Sequence, residues 1–128
     1  MNPPIVRWLL VDNDKNILTA LRRLLRRDGY RILSTTNPLE AIELLATNSI
    51  GVIVSDARMT EMPGTELLRC VRGLYPGIVR IMLSGYTELQ TVKDAINEGA
   101  VYKCLTKPWD DDLLREHLAE SFRRYEAN

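Results

Sequence analysis

Several residue types are scarce in this chain, and each scarcity excludes a class of protein. Cysteine occurs only twice in the 128 residues, at Cys70 and Cys104, outside any CxxC pattern, so we expect neither a disulfide framework nor a zinc site. No apolar run reaches the length of a membrane span, and the first residues lack the apolar core of a signal peptide. We therefore expect a protein of the cytoplasm that makes no contact with membranes.

Net charge is also absent, because 17 basic residues balance 17 acidic ones. A neutral chain has no overall electrostatic attraction to nucleic acids. The arginines of RRLLRR at 22–27 are locally dense, but they alternate with leucines as on an amphipathic helix. We interpret this segment as a solvated helix face and expect no direct contact with nucleic acids.

What the chain does contain is a regular alternation of short apolar runs with segments of helical periodicity. Five runs have the character of strands, and the third is continuous and β-branched like a central parallel strand. The runs are IVRWLLV at 5–11, YRILSTT at 30–36, GVIVS at 51–55, VRIMLS at 79–84 and VYKCLT at 101–106. This alternation predicts an α/β fold: one doubly wound parallel sheet of five strands, with five helices on its two faces.

The spacing of residues also assigns the caps and the buried faces of the predicted helices. Asp14, Asn37 and Asp110 are well placed as N-caps. We expect the first helix to end at Gly29 and the fourth to begin within GYTELQ at 85–90. The side chains expected on buried faces include Ile17, Leu18, Leu21, Leu24 and Leu25 in the first helix, Val92, Ala95 and Ile96 in the fourth, and Leu113, Leu114, His117, Leu118 and Phe122 in the last.

Polar residues stand at the ends of the predicted strands. These are Asp12, Asn13 and Asp14 after the first strand, Asp56 after the third, Ser84 at the end of the fourth, and Thr106 and Lys107 at the end of the fifth. In a doubly wound sheet, ligands bind outside the carboxyl ends of the strands. The set suits phosphoryl transfer, because a carboxylate can be the nucleophile and acidic oxygens hold Mg²⁺. A lysine and a hydroxyl can then stabilise the phosphoryl oxygens.

Four motifs at these strand ends resemble those of the receiver domain of response regulators in two-component signalling. They are VDND at 11–14, SDARMTEMPG at 55–64, LSGYT at 83–87 and LTKPW at 105–109. The resemblance covers essentially the whole chain, so it implies one receiver domain over residues 1–128. It also implies a flavodoxin-like sheet with the strand order 2-1-3-4-5.

By this resemblance, the polar residues acquire roles in phosphorylation. Asp56 is the phosphoacceptor, which takes a phosphoryl group from a histidine kinase or a small phosphodonor. Ser84 is the switch hydroxyl. Lys107 pairs with Asp56 or its phosphate, and in the family a cis peptide bond joins this lysine to the proline found here as Pro108. The resemblance places the cofactor Mg²⁺ on Asp12, Asn13, Asp56 and the backbone carbonyl of Arg58.

The resemblance also implies partners. A receiver takes its phosphoryl group from a sensor histidine kinase or a phosphotransfer protein and switches an output domain in the same parent chain. The switching face, formed by the fourth helix, the fifth strand and the fifth helix, also supports homodimers. Such a domain is no dedicated enzyme, although autodephosphorylation is expected. Residues 95–114, AINEGAVYKCLTKPWDDDLL, resemble receivers attached to HD-GYP phosphodiesterases or to σ54-type activators.

Three positions depart from the family pattern. Receivers usually carry an acid where this chain has Asn13, and since an amide brings no charge to Mg²⁺, we expect weaker cation affinity and slower phosphorylation. Thr60 replaces a common proline, a change that we expect to matter little. The aromatic switch position holds Cys104, and Tyr102 lies two residues earlier on the same face of a regular strand. The pattern leaves open which of the two fills the switch role.

Two other functions stay open at the level of sequence. Asn13 favours a pseudo-receiver that binds a partner without phosphorylation. The D-N-D pattern, together with Ser84 and Lys107, also mimics a haloacid-dehalogenase-like phosphatase. In that enzyme Asp12 would be the nucleophile, and Asp56 would have no explained role.

Overall fold

The strands of the chain form one parallel sheet in the order β2-β1-β3-β4-β5, as predicted. The structure, a computed structural model, describes residues 6–28, 31–85 and 89–127. Its strands are β1 (Val6–Val11), β2 (Ile32–Thr35), β3 (Ile50–Asp56), β4 (Val79–Ser84) and β5 (Lys103–Thr106). Its α-helices are α1 (Lys15–Leu25), α2 (Pro38–Thr47), α3 (Gly64–Leu74), α4 (Leu89–Asn97) and α5 (Asp111–Ala127), and a short 3₁₀ helix, Arg26–Asp28, follows α1.

The sheet separates two apolar layers because successive side chains of a strand point to opposite faces. Leu9 of β1 and Ile53 of β3 pack against α2, α3 and α4. Their strand neighbours Trp8 and Val52 pack with α1 and α5 on the other face. The central strands β1 and β3 are therefore buried on both faces, which explains their continuous apolar sequences.

Each predicted cap closes the first turn of its helix. The side chain of Asp14 accepts a hydrogen bond from the backbone N–H of Asn16 at 2.8 Å. Asn37 accepts from Leu39 at 2.8 Å, and Asp110 accepts from Leu113 at 3.0 Å. These bonds satisfy N–H groups that have no partner within the helix. The three cap predictions are confirmed.

Two predicted core residues are exposed instead. Ile96 is 39% exposed and Leu113 is 52% exposed. Each immediately follows or precedes a buried residue, Ala95 in α4 and Leu114 in α5, and one residue along a helix turns the side chain by about 100°. Both helices bury a face that is narrower than the apolar spacing suggested.

The interpretation of the arginine-rich segment is confirmed, since all of its arginines are exposed. Arg22 also donates to the hydroxyl of Ser34 in β2 at 3.1 Å. Within the part of the chain that the structure describes, every helix is too short or too polar to cross a bilayer. The predicted helix end at Gly29 and residues 86–88 of the predicted start of α4 lie outside the described residues.

The loop between β3 and α3 closes tightly at Gly64. The backbone N–H of Gly64 donates to the carbonyl oxygen of Ala57 at 3.0 Å. A Cβ atom added at Gly64 would overlap the backbone carbonyl oxygen of Asp56. Only glycine lets the start of α3 approach the end of β3 this closely.

Gly64→Ala should destabilise the protein by about 1 to 3 kcal/mol, because the methyl group must displace the backbone that carries Asp56. Gly73→Ala in the same helix is the matched control, since a Cβ there meets no atom within 4 Å. That substitution should stabilise the helix by up to about 1 kcal/mol. Urea unfolding measures both effects, and equal effects of the two substitutions would contradict the close approach at Gly64.

Candidate functional site

Three charged residues meet at the carboxyl edge of the sheet. The ammonium of Lys107, after β5, lies 2.9 Å from Oδ2 of Asp12 and 2.9 Å from Oδ1 of Asp56. Asp12 follows β1, and Asp56 is the last residue of β3. The side chain of Lys107 therefore reaches past β4 to join the ends of three strands. The peptide bond between Lys107 and Pro108 is cis, as the resemblance implies.

The carboxylate of Asp12 is enclosed, and each of its oxygens accepts a hydrogen bond. Asp12 is only 2% exposed. Its Oδ1 accepts the backbone N–H of Asp14 at 2.9 Å, and its Oδ2 accepts from Lys107. A charged group in this position needs such partners, because burial without them is unfavourable.

Asp56 is the more accessible of the two carboxylates, with 14% of its side chain exposed. Burial is the main reason why the pKa of Asp56 lies above its usual value, and the nearby charge of Asp12 raises it further. A hydrogen bond and the charge from Lys107, and a hydrogen bond from the backbone of Arg58, act in the opposite direction. Asp56 is thus a carboxylate whose negative charge is only partly compensated.

The pKa of Lys107 lies above its usual value. Burial alone would lower it, but the hydrogen bonds and charges of Asp12 and Asp56 outweigh burial. Lys107 is therefore held in its charged form by both carboxylates. The two carboxylates and the ammonium carry one net negative charge in their ionised forms.

Ser84 belongs to the same edge but has a different partner. Leu83 pairs with Asp56 across the sheet, so Ser84 lies one residue beyond the phosphoacceptor candidate. The serine is completely buried, and its Oγ lies 3.3 Å from Sγ of Cys104. The structure thus brings Asp12, Asp56 and Lys107 into contact, with the Ser84 hydroxyl paired beside them.

Cys104 and Tyr102 lie on opposite faces of the sheet, which corrects the expectation of a shared face. Cys104 packs against the layer of α2, α3 and α4, whereas Tyr102 packs in the layer of α1 and α5. The alternation of a regular strand does not extend to Tyr102, because β5 begins at Lys103. The centre of the Tyr102 ring lies 4.5 Å from Cζ of Arg124. Of the two candidates for the switch position, Cys104 is the one that contacts Ser84.

Asn13 is exposed and faces Thr60. With its amide oxygen toward Thr60, it accepts from the backbone N–H at 3.0 Å and from the hydroxyl at 3.2 Å, while its nitrogen donates to the carbonyl of Thr36 at 3.1 Å. Asn13 therefore joins the loops that follow β1, β2 and β3. Thr60, a replacement that we expected to matter little, is a hydrogen-bond partner of Asn13. The signal in the sequence was the absence of the usual proline, because any other residue at this position has a backbone N–H that can donate.

The remaining polar residues of the predicted edge have other surroundings. Asp14 is an exposed helix cap. Thr106 is exposed and lines a cavity of about 230 Å³ beside Trp109 and α5. His117 is half-buried, with Nδ1 3.0 Å from the ammonium of Lys103, which confirms its interpretation as a packed helix residue.

The donor atoms at the edge fit a magnesium ion. Mg²⁺ is usually held by one or two carboxylates and completes its octahedron with waters and phosphate oxygens. Asp12 and Asp56 provide two carboxylates, and a divalent cation would relieve the repulsion that raises the pKa of Asp56. Among the described residues, no group of three or more histidine, cysteine, aspartate or glutamate side chains forms a site for a metal. A cation here would therefore depend on backbone, water and phosphate oxygens as well.

The family model described as the response regulator receiver domain matches residues 8–119. The hydrogenase transcriptional regulatory protein HoxA of Bradyrhizobium diazoefficiens is 37% identical over 117 residues, which are 91% of this chain and 24% of that protein. The transcriptional regulatory protein ZraR of Klebsiella oxytoca is 34% identical over 113 residues, which are 88% of this chain and 25% of that protein. The chain thus spans about a quarter of the length of these curated relatives.

Solved structures show the same architecture. The signal receiver domain of an HD domain-containing protein from Pseudomonas fluorescens Pf-5 superposes with a TM-score of 0.89 at 33% identity, covering 99% of this chain and 92% of that one. The similar proteins thus include transcriptional regulatory proteins and the receiver of an HD domain-containing protein. Both agree with the receiver subset that residues 95–114 resemble.

Asp56→Asn should raise the free energy of unfolding at pH 7 by about 0.5 to 2 kcal/mol. A carboxyl group whose pKa is raised by folding binds its proton more tightly in the folded state, so its contribution to stability falls as pH rises through the folded pKa. The gain should therefore shrink as the pH is lowered and wild-type Asp56 becomes protonated.

Urea unfolding at a series of pH values measures this dependence. Asp14→Asn is the matched control, because asparagine is an equally good N-cap and Asp14 is exposed. A gain from Asp56→Asn that stayed constant across the acid range would contradict the raised pKa.

Proposed function

Because the chain belongs to the response regulator receiver domains, which are signalling modules and not dedicated enzymes, we propose that it accepts a phosphoryl group on Asp56. The observation that carries the proposal is the double ion pair of Lys107 with Asp56 and Asp12. It brings two carboxylates and an ammonium group together at the edge where a doubly wound sheet binds ligands, which supports a role of Asp56 as nucleophile. Asp56 is the carboxylate that an incoming phosphorus can reach.

The transfer itself is a substitution at phosphorus. A carboxylate oxygen of Asp56 forms the new P–O bond while the P–N bond of a phosphohistidine donor breaks, and the imidazole leaves with the electron pair. Lys107 balances the charge of the phosphoryl oxygens. Autodephosphorylation reverses the modification when water attacks the phosphorus, the P–O bond to Asp56 breaks, and inorganic phosphate leaves.

We assign the Mg²⁺ site to Asp12, Asp56 and the backbone carbonyl of Arg58, with the amide oxygen of Asn13 as a further ligand when it turns inward. These residues would hold Mg²⁺ close to Asp56, where its positive charge would offset the negative charge of a phosphoryl group. Asp12 is held in position for this role by the N–H of Asp14. Lys107 lies between the two carboxylates and offsets part of their negative charge.

The response to phosphorylation begins at Ser84. Its hydroxyl would leave the sulfur of Cys104 and donate to a phosphoryl oxygen, which would release β5 on the side of α4 and α5. The exposed Leu113 and the cavity beside Trp109 lie on this face. We propose that the face formed by α4, β5 and α5 contacts the output domain or a second copy of the chain.

The proposed donor is a sensor histidine kinase or a phosphotransfer protein of the cytoplasm. The output is a separate domain of a longer parent chain, since HoxA and ZraR, of which this chain matches about a quarter, are named as transcriptional regulators. The receiver unit is proposed to span residues 1–128, while the family model covers 8–119. No direct contact with nucleic acid or membrane is assigned to it.

The phosphatase alternative is not supported by the geometry. Asp12, its required nucleophile, is 2% exposed, and both of its oxygens already accept hydrogen bonds. The pseudo-receiver alternative rests on Asn13, whose amide brings no charge to the cation site. Phosphorylation of the isolated chain separates these functions.

Incubation with acetyl phosphate and Mg²⁺ should add one phosphoryl group, and mapping of the modified peptide should place it on Asp56. Asp56→Asn should abolish the mass increase, because an amide cannot replace the carboxylate nucleophile. Asp14→Asn should retain it, since this exposed cap does not contact Lys107 or Asp56.

Each other outcome of that experiment identifies a different function. A label on Asp12 would favour the phosphatase. No label on a folded chain that still binds its partner would leave the pseudo-receiver. Intact mass spectrometry and peptide mapping distinguish the three results.

Ser84→Ala should uncouple the response from the modification. Beryllofluoride with Mg²⁺, which mimics the phosphoryl group, should shift the backbone amide resonances of β5 and α5 in the wild type. The shifts should be largely lost in Ser84→Ala, because this variant lacks the hydroxyl that would donate to the phosphoryl group or its mimic.

Ser121→Ala is the control for that variant, since Ser121 is equally buried but its hydroxyl donates to a backbone carbonyl within α5, that of His117. Shifts of the same size in Ser84→Ala and in the wild type would contradict the proposed switch.

A further inference from the structure

Two departures from the family pattern touch each other. Asn13 stands where an acid is usual and Thr60 where a proline is common, and the amide of Asn13 lies against Thr60 whichever of its ends faces the hydroxyl. With its oxygen toward Thr60, it accepts from the Thr60 N–H at 3.0 Å and from the Thr60 hydroxyl at 3.2 Å. The amide nitrogen donates to the carbonyl of Thr36 at 3.1 Å. In each of these three contacts, a donor faces an acceptor.

The pairing depends on the residue type at both positions. A proline at position 60 has no N–H and no hydroxyl, so it could give Asn13 neither bond. An aspartate at position 13 could accept from Thr60, but it could not donate to the carbonyl of Thr36, because an ionised carboxylate only accepts. Asn13 therefore suits Thr60 and Thr36 together, and we call its contact with Thr60 the Asn13–Thr60 clamp.

The clamp competes with cation binding. An amide oxygen has two lone pairs, and in the clamp both point to donors of Thr60. For Asn13 to join a cation held by Asp12 and Asp56, its oxygen must give up at least one of these bonds.

We propose that Thr60 is a positioning residue for the cation site: it holds the amide oxygen of Asn13 in the clamp and so lowers the affinity of the site for Mg²⁺. This inference rests on the proposed function of that site. A receiver with this clamp would bind Mg²⁺ with two acidic side chains and would recruit Asn13 only after the clamp opens. The loop after β3 thereby sets how readily the site takes its cation.

The test is calorimetric titration of the full chain with MgCl₂. Thr60→Pro, which removes both donors of the clamp, should tighten the Mg²⁺ dissociation constant by about two- to tenfold, the equivalent of about one hydrogen bond. Thr60→Val, which removes only the hydroxyl, should give a smaller change in the same direction. Thr47→Val is the control, because the Thr47 hydroxyl has local partners at the end of α2. It donates to the carbonyls of Glu43 and Leu44 and accepts from the side chain of Asn48.

The decisive arm repeats the titration in an Asn13→Ala background. There, Thr60→Pro should change the Mg²⁺ dissociation constant by less than about twofold, because no amide oxygen remains to be released. An equal change in both backgrounds, or no change in either, would overturn the proposal. If no variant binds Mg²⁺, the proposal falls together with the cation site, whereas phosphorylation of Asp56 is judged separately by the acetyl phosphate experiment.

A second measurement needs no cation. In EDTA, the effects of Asn13→Ala and Thr60→Pro on urea unfolding should be less than additive, because either substitution alone already breaks the clamp. Adding Mg²⁺ to the wild type should shift the side-chain amide resonances of Asn13 as its oxygen exchanges Thr60 for the cation. Strict additivity in EDTA would show that the clamp does not exist in solution.

Discussion

The double ion pair of Lys107 is the interaction on which the rest of the site depends. Two carboxylates, Asp12 and Asp56, lie at the carboxyl edge of a sheet whose central strands are buried on both faces. Burial and the nearby charge of Asp12 raise the pKa of Asp56, and a cation between the two carboxylates opposes this effect. Lys107, which follows the edge strand β5, extends its ammonium group past β4 to both carboxylates. One ammonium group thus joins the ends of three strands.

Around this ion pair, close contacts hold the loops that follow β1 and β3. The N–H of Asp14 fixes one oxygen of Asp12, and the missing side chain of Gly64 lets α3 approach the carbonyl of Asp56. Asn13 and Thr60 fasten the loops after β1 and β3 to each other. Pre-positioned groups of this kind suit phosphoryl transfer, where the protein contributes mainly placement and charge.

Most of the fold could be predicted because its determinants are local. The caps at Asp14, Asn37 and Asp110 need only a side chain two or three residues from an N–H, and the strand runs are visible as continuous apolar segments. The exposure of Ile96 and Leu113 could not be predicted, because which part of an apolar helix face is covered depends on how the helix packs on the sheet. Tyr102 was assigned to the wrong face because β5 begins one residue after it.

The sequence by itself determined the α/β alternation and the chemical types at the strand ends, since both follow from periodicity and from the meeting of parallel strand ends at one edge. The resemblance implied the pair of Lys107 with Asp56, and only the tertiary structure decided the other partners: Lys107 with Asp12, Ser84 with Cys104, and Asn13 with Thr60. Those choices depend on differences of a few tenths of an ångström in the distances between atoms that are remote in the chain. Hydrogen-bond partners that come from different loops are settled by packing, which no local pattern of residues encodes.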